Sequence, residues 1–343
     1  VAQFGVVAIV KDEEDSVGRM LASVGECPTT IVDTGSTDGT IERLAEMGVI
    51  AHEVPFVNFG QARSAAFSLA RGSADWLLAL DADMTVEIDP DFEPDPAVDA
   101  YMLRLGSDDF SYRLPLLLRG DLQWQSIGAC HEYTALPDRA YVSRPTDKVR
   151  ITNHGNSRWS REKSLWQLGL LEAELAEQPT NARTVFYLAN TLWDLGRTAE
   201  ALAMYRRRNE MSGWVEETFY SRYRFALCQP TWPARMLALI DAWEYRPGRL
   251  EPAHELAREF NLRGQHHSAY RFASLPVVEP PDNLFVHRGV YEWGMDFERS
   301  ISAWWLGKWD EFDALTERLL DNPRLPGNIR EAVIRNRECE RAA

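Results

Sequence analysis

Asp81-Ala82-Asp83 stands directly after the apolar run Trp76 to Leu80 of this 343-residue chain. Side chains alternate along an extended segment, so Asp81 and Asp83 project to the same side. Two carboxylates this close repel unless a cation or hydrogen bonds offset the charge. A turn or a helix cap is the ordinary use of such a pair. Placement after an apolar strand favours a divalent cation, Mg2+ or Mn2+, held by one or two carboxylates and completed by the oxygens of a diphosphate. A second acidic feature, Asp33 in the run Asp33-Thr-Gly-Ser-Thr-Asp-Gly-Thr40, follows another short apolar segment. A carboxylate at such a strand end can accept the N–H of a nucleobase. Gly35 and Gly39 permit a tight backbone, and Ser36, Thr37 and Asp38 read as turn chemistry, with Ser36 or Thr37 capping the helix that follows. Neither Gly-x-Gly-x-x-Gly nor Gly-x-x-x-x-Gly-Lys is present, so this is not a phosphate loop.

These residues need elements that carry them to one edge. Phe4 to Val10, Thr30 to Val32, Val49 to Val54 and Trp76 to Leu80 read as strands. Between them Ser16 to Ser23, Thr37 to Met47 and Asn58 to Arg71 read as helices, the last with an apolar face at Ala62, Ala65, Ala66 and Leu69. Such alternation predicts an α/β domain, a mostly parallel sheet with helices on both faces. Ligands of open sheets bind at the carboxyl ends of the strands, where Asp33 and Asp81 fall.

From about Ser160 the pattern is helical and repeats. Pro179, Pro247 and Pro281 fit a 34-residue period. Leu188, Ala189, Leu192, Gly196, Ala201 and Tyr205 have the spacing of the tetratricopeptide pattern, and Leu256, Ala257, Phe260, Gly264 and Ala269 repeat it. A middle unit with Arg222, Tyr223, Ala226 and Pro230 is degenerate. A last helical pair, Val286 to Leu306 and Trp309 to Leu320, closes at Asn322-Pro323 as an atypical terminal repeat. The Trp and Tyr residues of this half read as packing between helices. The division is expected at residue 157, giving a sheet domain 1–157 and an all-α repeat domain 158–343.

A net charge of -15 argues against nucleic acid as a partner, since such binding draws on a basic surface. Residues 1–160 hold 13 basic and 25 acidic side chains, while the remainder holds 24 and 27, an asymmetry that follows the division. No apolar run approaches the ~18 residues of a membrane span, and no signal-peptide pattern opens the sequence, so a soluble cytoplasmic chain is expected. The four cysteines form no Cys-x-x-Cys pair, leaving a disulfide framework or cysteine zinc site without support.

Four segments in order, IVKDEE (Ile9 to Glu14), IVDTGSTDGT (Ile31 to Thr40), FGQARSAAF (Phe59 to Phe67) and ADWLLALDADM (Ala74 to Met84), resemble the family 2 glycosyltransferases of the GT-A nucleotide-sugar fold. A tetratricopeptide-type tail after such a domain is similar to a bacterial subgroup, some members of which glycosylate peptides or proteins. The resemblance implies that Val10 and Lys11, with Glu13 nearby, receive the nucleobase and ribose. It implies that Asp33 pairs with uracil, that Arg63 helps hold the nucleotide, and that Asp81 and Asp83 form a DxD metal-binding pair around Ala82. Asp12 and Ser64 depart from the residues usual at those positions. Trp124-x-x-x-Gly128-x-x-His131-Glu132 resembles the segment that supplies the general base, Glu132 first and His131 as its substitute; His131 also reads as a packed histidine. His154 falls where GT-A enzymes present a third metal ligand, and otherwise reads as structural. Arg158 and Arg161 read as a diphosphate clamp or a solvated helical turn, and Asp108 and Asp109 as contacts to sugar or acceptor hydroxyls.

The implied function is an inverting, metal-dependent transferase (a hexosyltransferase type) using Mn2+ or Mg2+ and a nucleotide-diphosphate sugar, expected to be a UDP-sugar. A peptide, protein or glycan acceptor, or a second copy of the chain, would lie on the helical repeats. A different class is a tetratricopeptide scaffold whose sheet domain is a degenerate nucleotide-sugar sensor. A nucleotidyltransferase is a further alternative, disfavoured by the lack of a glycine-rich basic loop after the first strand.

Overall fold

The structure of the protein, a computed structural model, describes residues 2–106, 110–155, 161–278 and 284–339, with backbone alone for 110 and 111. Asp108, Asp109, Arg158 and Pro281 lie outside the described residues. The chain forms two compact units, one of Val1–Gly106 with Tyr112–Gly196, the other of Ser107–Ser111 with Arg197–Ala343. Strands give way to helices between Asn153 and Arg161, and packing carries the first unit through the first two of those helices.

In the first unit β1 (Phe4–Val10), α1 (Glu14–Val24), β2 (Thr29–Asp33), α2 (Thr40–Glu46), β3 (Ala51–Glu53), α3 (Phe59–Ala70) and β4 (Trp76–Asp81) alternate as expected. They are followed by β5 (Met84–Ile88), β6 (Ala100–Gly106), β7 (Phe110–Arg119), β8 (Gln125–Ile127), β9 (Tyr133–Ala135), β10 (Ser143–Pro145), β11 (Val149–Asn153), α4 (Arg161–Glu177) and α5 (Ala182–Asp194). Seven strands lie in the order β10-β6-β7-β4-β1-β2-β3. β1 is parallel to β2 and β4, β2 to β3, and β6 to β10, while β7 is antiparallel to β4.

Period-two alternation sorts the sheet's side chains into two cores. Val6, Ala8, Val10, Leu78 and Leu80 pack with Val17, Met20 and Leu21 of α1 and Leu44 of α2. Val7, Val32, Leu77 and Ala79 pack with Ala66, Phe67 and Ala70 of α3 on the other face. The chain therefore steps from β1 out to β3 over one face and returns over the opposite face to enter β4 on the far side of β1. Right-handed crossovers require that change of face. It leaves a switch point between β1 and β4, and the crevice at their carboxyl ends is the natural ligand position of such a sheet.

Two local expectations are corrected. α2 begins at Thr40, not Thr37, and neither Ser36 nor Thr37 caps it; Asp38 accepts from the Thr40 N–H at 3.0 Å. On α3, Ala62 and Ala66 are buried as expected, but Leu69 is 47% exposed and Phe67 and Ala70 face the sheet. The stripe Ala62-Ala66-Ala70 follows the i, i+4 line, and Leu69 sits ~100° round the helix from Ala70.

The second unit holds α6 (Thr198–Asn209), α7 (Val215–Leu227), α8 (Trp232–Tyr245), α9 (Glu251–Leu262), α10 (His266–Ala273), a two-residue strand β12 (Val286–His287), α11 (Met295–Trp305), α12 (Trp309–Asp321) and α13 (Gly327–Glu338). Each helix from α6 to α13 packs on the next along the chain. Ala201, Tyr205, Tyr223, Ala226, Leu256, Ala257, Phe260 and Ala269 are buried as the repeat pattern demands, and Gly264 takes a φ of +69° after α9, a conformation that suits a residue with no Cβ. The expected helix Val286 to Leu306 is instead β12, a π-helical turn Val290–Gly294 and α11. Phe285 at φ +52° breaks its start, and Gly294 lies so close to the His254 imidazole that a Cβ would come within 2.9 Å. The helices do not close at Pro323: α13 follows, and its short apolar stripe Ile329, Ala332 and Val333 buries Val333 against Leu319 and Leu325. Tyr205, Tyr220 and Tyr223 are buried as expected, but Tyr245, Trp214 and Trp305 are 37%, 51% and 60% exposed.

Candidate active site

Parallel register sets the frame. Ile9 of β1 stands opposite Asp81 and Val10 opposite Asp33, so the two carboxylates flank the end of β1 from either side. At ~4.8 Å between strands, they are about 10 Å apart across it. Asp33 is buried, and its carboxylate accepts from the N–H groups of Gly35 at 2.9 Å and Ser36 at 3.1 Å and from the Ser36 hydroxyl. The loops after β1 and β2 interlock. Ser36 Oγ accepts from the Asp12 N–H, Asp12 accepts from the Thr37 N–H, and Thr40 Oγ1 accepts from the Glu13 N–H. The Val10 carbonyl accepts from the Thr34 N–H, while Lys11 projects into solvent. Asp12, held at a φ of +54°, thus serves as a lock between loops.

Asp81, Ala82 and Asp83 leave the end of β4, with Ala82 buried in the core. Burial raises the Asp83 pKa and the Asp81 charge adds to it; Glu13, after β1, is likewise raised by burial and by Asp83 and Asp81. The three carboxylates form one field of mutual repulsion at the switch point. β5 pairs antiparallel with β11, and continuing that register puts His154 beside Asp83: the His154 N–H donates to the Asp83 carbonyl at 2.9 Å. Its exposed ring meets the Thr85 hydroxyl at 2.8 Å. Three groups with no motif also belong here. Tyr112 of β7 has its pKa raised by burial and by Asp81 and Asp83, while the positive charges of Lys163 and Arg19 act on Asp83. Antiparallel pairing of β7 with β4, from Trp76–Arg119 to Leu78–Leu117, directs the start of β7 toward the end of β4 that carries Asp81. Lys163 could have been found as the cation inside the first turn of α4; Arg161, read as a diphosphate clamp or a solvated helical turn, is exposed at its start.

Arg63 ties the site together. From α3 its Nη2 donates to Asp81 at 2.8 Å and its Nε to Glu132 at 2.8 Å. Burial opposes the arginine's charge, but the Asp81 and Glu132 carboxylates outweigh it and raise its pKa. Glu132 reaches Arg63 because its loop docks on the start of α3. Gly60 N–H donates to the Gly128 carbonyl at 3.1 Å, and a Cβ on Gly60 would fall 2.5 Å from that oxygen. Ser64 Oγ accepts from the Ser126 N–H at 2.9 Å and joins α3 to β8. Trp124 is a core residue, its indole N–H donating to the Arg119 carbonyl. His131, at a φ of +54°, stacks on Tyr187 with ring centroids 4.3 Å apart. Desolvation of the ring lowers its pKa, and the Glu132 carboxylate opposes that shift. Cys130 beside it is buried, its thiol pushed up to about 12 by burial and by Glu132 and Glu174, so it is no nucleophile.

Among the described residues no three His, Cys, Asp or Glu side chains form a ready cage for an ion. The donor chemistry nevertheless fits a divalent cation completed by ligand oxygens: hard carboxylates, partly desolvated, whose repulsion a dication would relieve.

No family model and no curated protein matches the chain. Among solved structures, MamA aligns with 51% of this chain and 93% of its own at 13% identity and a TM-score of 0.38. Glucosyl-3-phosphoglycerate synthase from Mycobacterium tuberculosis, in complex with Mn2+, uridine diphosphate and glucosyl-3-phosphoglycerate, aligns with 24% of this chain at 21% identity and a TM-score of 0.21. This chain covers 34% of that enzyme's length. Similarity at this level assigns no role to any residue. No described helix is long and apolar enough to cross a membrane.

Proposed function

We propose that the chain is a family 2 glycosyltransferase, with a GT-A domain in residues 1–157 and a tetratricopeptide-type domain in 158–343. It transfers a sugar from a UDP-sugar, with inversion, to a peptide, protein or glycan acceptor. One observation carries this reading: Arg63 joins Asp81 to Glu132 at the switch point, beside Glu13 and Asp83. In this reading Asp33 accepts the N–H of the nucleobase at the end of β2, next to the loops of Val10, Lys11 and Glu13. Asp81 and Asp83 would hold Mn2+ or Mg2+, with His154 as a further donor. When bound, that cation neutralises the charge of the departing diphosphate. Arg63 fixes the distance between the donor-side carboxylate Asp81 and the acceptor-side carboxylate Glu132. Glu132 takes the proton of the acceptor nucleophile as it attacks the anomeric carbon opposite the leaving nucleotide.

The test is a screen of UDP-sugars for Mn2+-dependent hydrolysis and transfer. Asp83→Ala is expected to abolish turnover; undiminished turnover excludes the metal role. Retained anomeric configuration in the product by NMR would exclude the mechanism. Calorimetry with UDP and Mn2+ separates the enzyme from a scaffold, for which no metal-dependent binding is expected.

A further inference from the structure

We infer that Glu174 of α4 and Arg183 of α5 are positioning residues for Glu132, so that the first helical pair after the sheet is part of the catalytic apparatus. The inference rests on the reading of Glu132 as the base. Its basis is the way the segment before Glu132, from Gly128 to His131, is held. From the α3 side, the Gly60 and Phe59 N–H groups donate to the carbonyls of Gly128 and Ala129 at 3.1 and 3.0 Å. From the helical side, Glu174 Oε1 accepts from the Ala129 N–H at 2.9 Å, and Arg183 donates through Nε and Nη2 to the His131 carbonyl at 3.1 and 2.9 Å. Both helical groups are themselves fixed. The Thr184 hydroxyl donates to Glu174 Oε2 at 2.9 Å, and Asn181 caps α5 by accepting from the N–H groups of Arg183 and Thr184. The Arg183 guanidinium lies over the rings of Tyr133 and Tyr187, at 5.2 and 4.8 Å, and Tyr187 in turn stacks on His131.

His131 is the point of leverage. A φ of +54° is uncomfortable for a residue with a Cβ and persists only where its surroundings enforce it. Here the forked hydrogen bond from Arg183 and the Tyr187 stack enforce it, and the resulting bend turns Glu132 back toward Arg63. With the clamp removed, His131 relaxes toward ordinary backbone and Glu132 loses its aim, whereas Asp33 and the β1–β2 loops stay as they are.

The experiment compares truncating and conservative variants in donor hydrolysis, transfer, UDP calorimetry and hydrogen exchange of residues 125–135. Arg183→Ala and Glu174→Ala are expected to lower kcat about 10- to 100-fold, with donor KM and UDP affinity changed less than about two-fold, and to speed exchange in that segment. Arg183→Lys and Glu174→Gln should restore most of the rate, because an ammonium still donates to the carbonyl and an amide oxygen still accepts from Ala129. Should the alanine variants fail to fold, Thr184→Val, which frees one Glu174 oxygen, gives the same pattern at smaller size. Unchanged kcat in folded Arg183→Ala, equal loss in Glu174→Gln and Glu174→Ala, or UDP affinity falling in step with kcat overturns the inference. A wild-type protein without any donor turnover counts instead against glycosyl transfer. The positioning claim is then decided by hydrogen exchange, and unchanged exchange in Arg183→Ala overturns it.

Discussion

Arg63 makes one side chain serve two carboxylates. Arg63→Met leaves Asp81 and Glu132 without their cation and is expected to destabilise the protein by about 2–4 kcal/mol, read from the urea midpoint. Arg63→Lys keeps the charge but not the fork, so it should recover much of the stability and little of the turnover. Asp83 works in the opposite sense. Its folded-state pKa is raised, so its contribution to stability is present below the ordinary carboxylate range and is lost as pH rises through the raised value. Asp83→Asn is therefore expected to raise the neutral-pH Tm of the metal-free protein by about 1–2 °C while ending turnover, the gain vanishing near about pH 3. A lower Tm at neutral pH would show that the carboxylates are not in mutual repulsion. Protons compete with a cation for Asp83, so the apparent Mn2+ affinity, read by calorimetry, is expected to weaken as pH falls through the raised Asp83 value.

At the scale of elements, the site depends on how closely α3 and the loop after β8 approach. Gly60 is the contact point, and Gly60→Ala would place a methyl 2.5 Å from the Gly128 carbonyl and 2.9 Å from that of Ser126. Both obstacles are backbone, so one element must move. The expected result is a loss of about 1–3 kcal/mol and a fall in kcat larger than any change in donor KM, measured by denaturation and steady-state kinetics. β4 and β1 are less forgiving still. Leu78 and Leu80 are fully buried in the core under α1 and α2, and truncation of either to Ala should cost ~2–5 kcal/mol.

For the whole molecule, two compact units with separate cores imply unfolding that is not a single transition. Scanning calorimetry should give an enthalpy larger than the van't Hoff value. The second unit also carries a buried ionic centre: Arg249 lies between Glu216 and Glu251, all three at 1% exposure or less. Arg249→Met takes the cation from buried Glu251 and leaves Glu216 to Arg246, and is expected to cost about 3–5 kcal/mol, seen as an earlier transition in guanidinium.

Much of this protein was written in one dimension. The alternation of strands and helices in the first 81 residues, the strand-end positions of Asp33 and Asp81, and the 34-residue recurrence of small and apolar residues are local patterns, because backbone period and side-chain polarity act over a few residues. Tertiary structure alone decided which distant residues meet. Arg63 and Glu132 are 69 positions apart, His154 reaches Asp83 only through β5–β11 pairing, and Tyr112 feels the Asp81 and Asp83 charges only because β7 lies beside β4. The exposed side of α3 was likewise set by its packing partners. An ion pair or a strand register is a relation between two segments, and its energy depends on a distance that neither segment contains by itself.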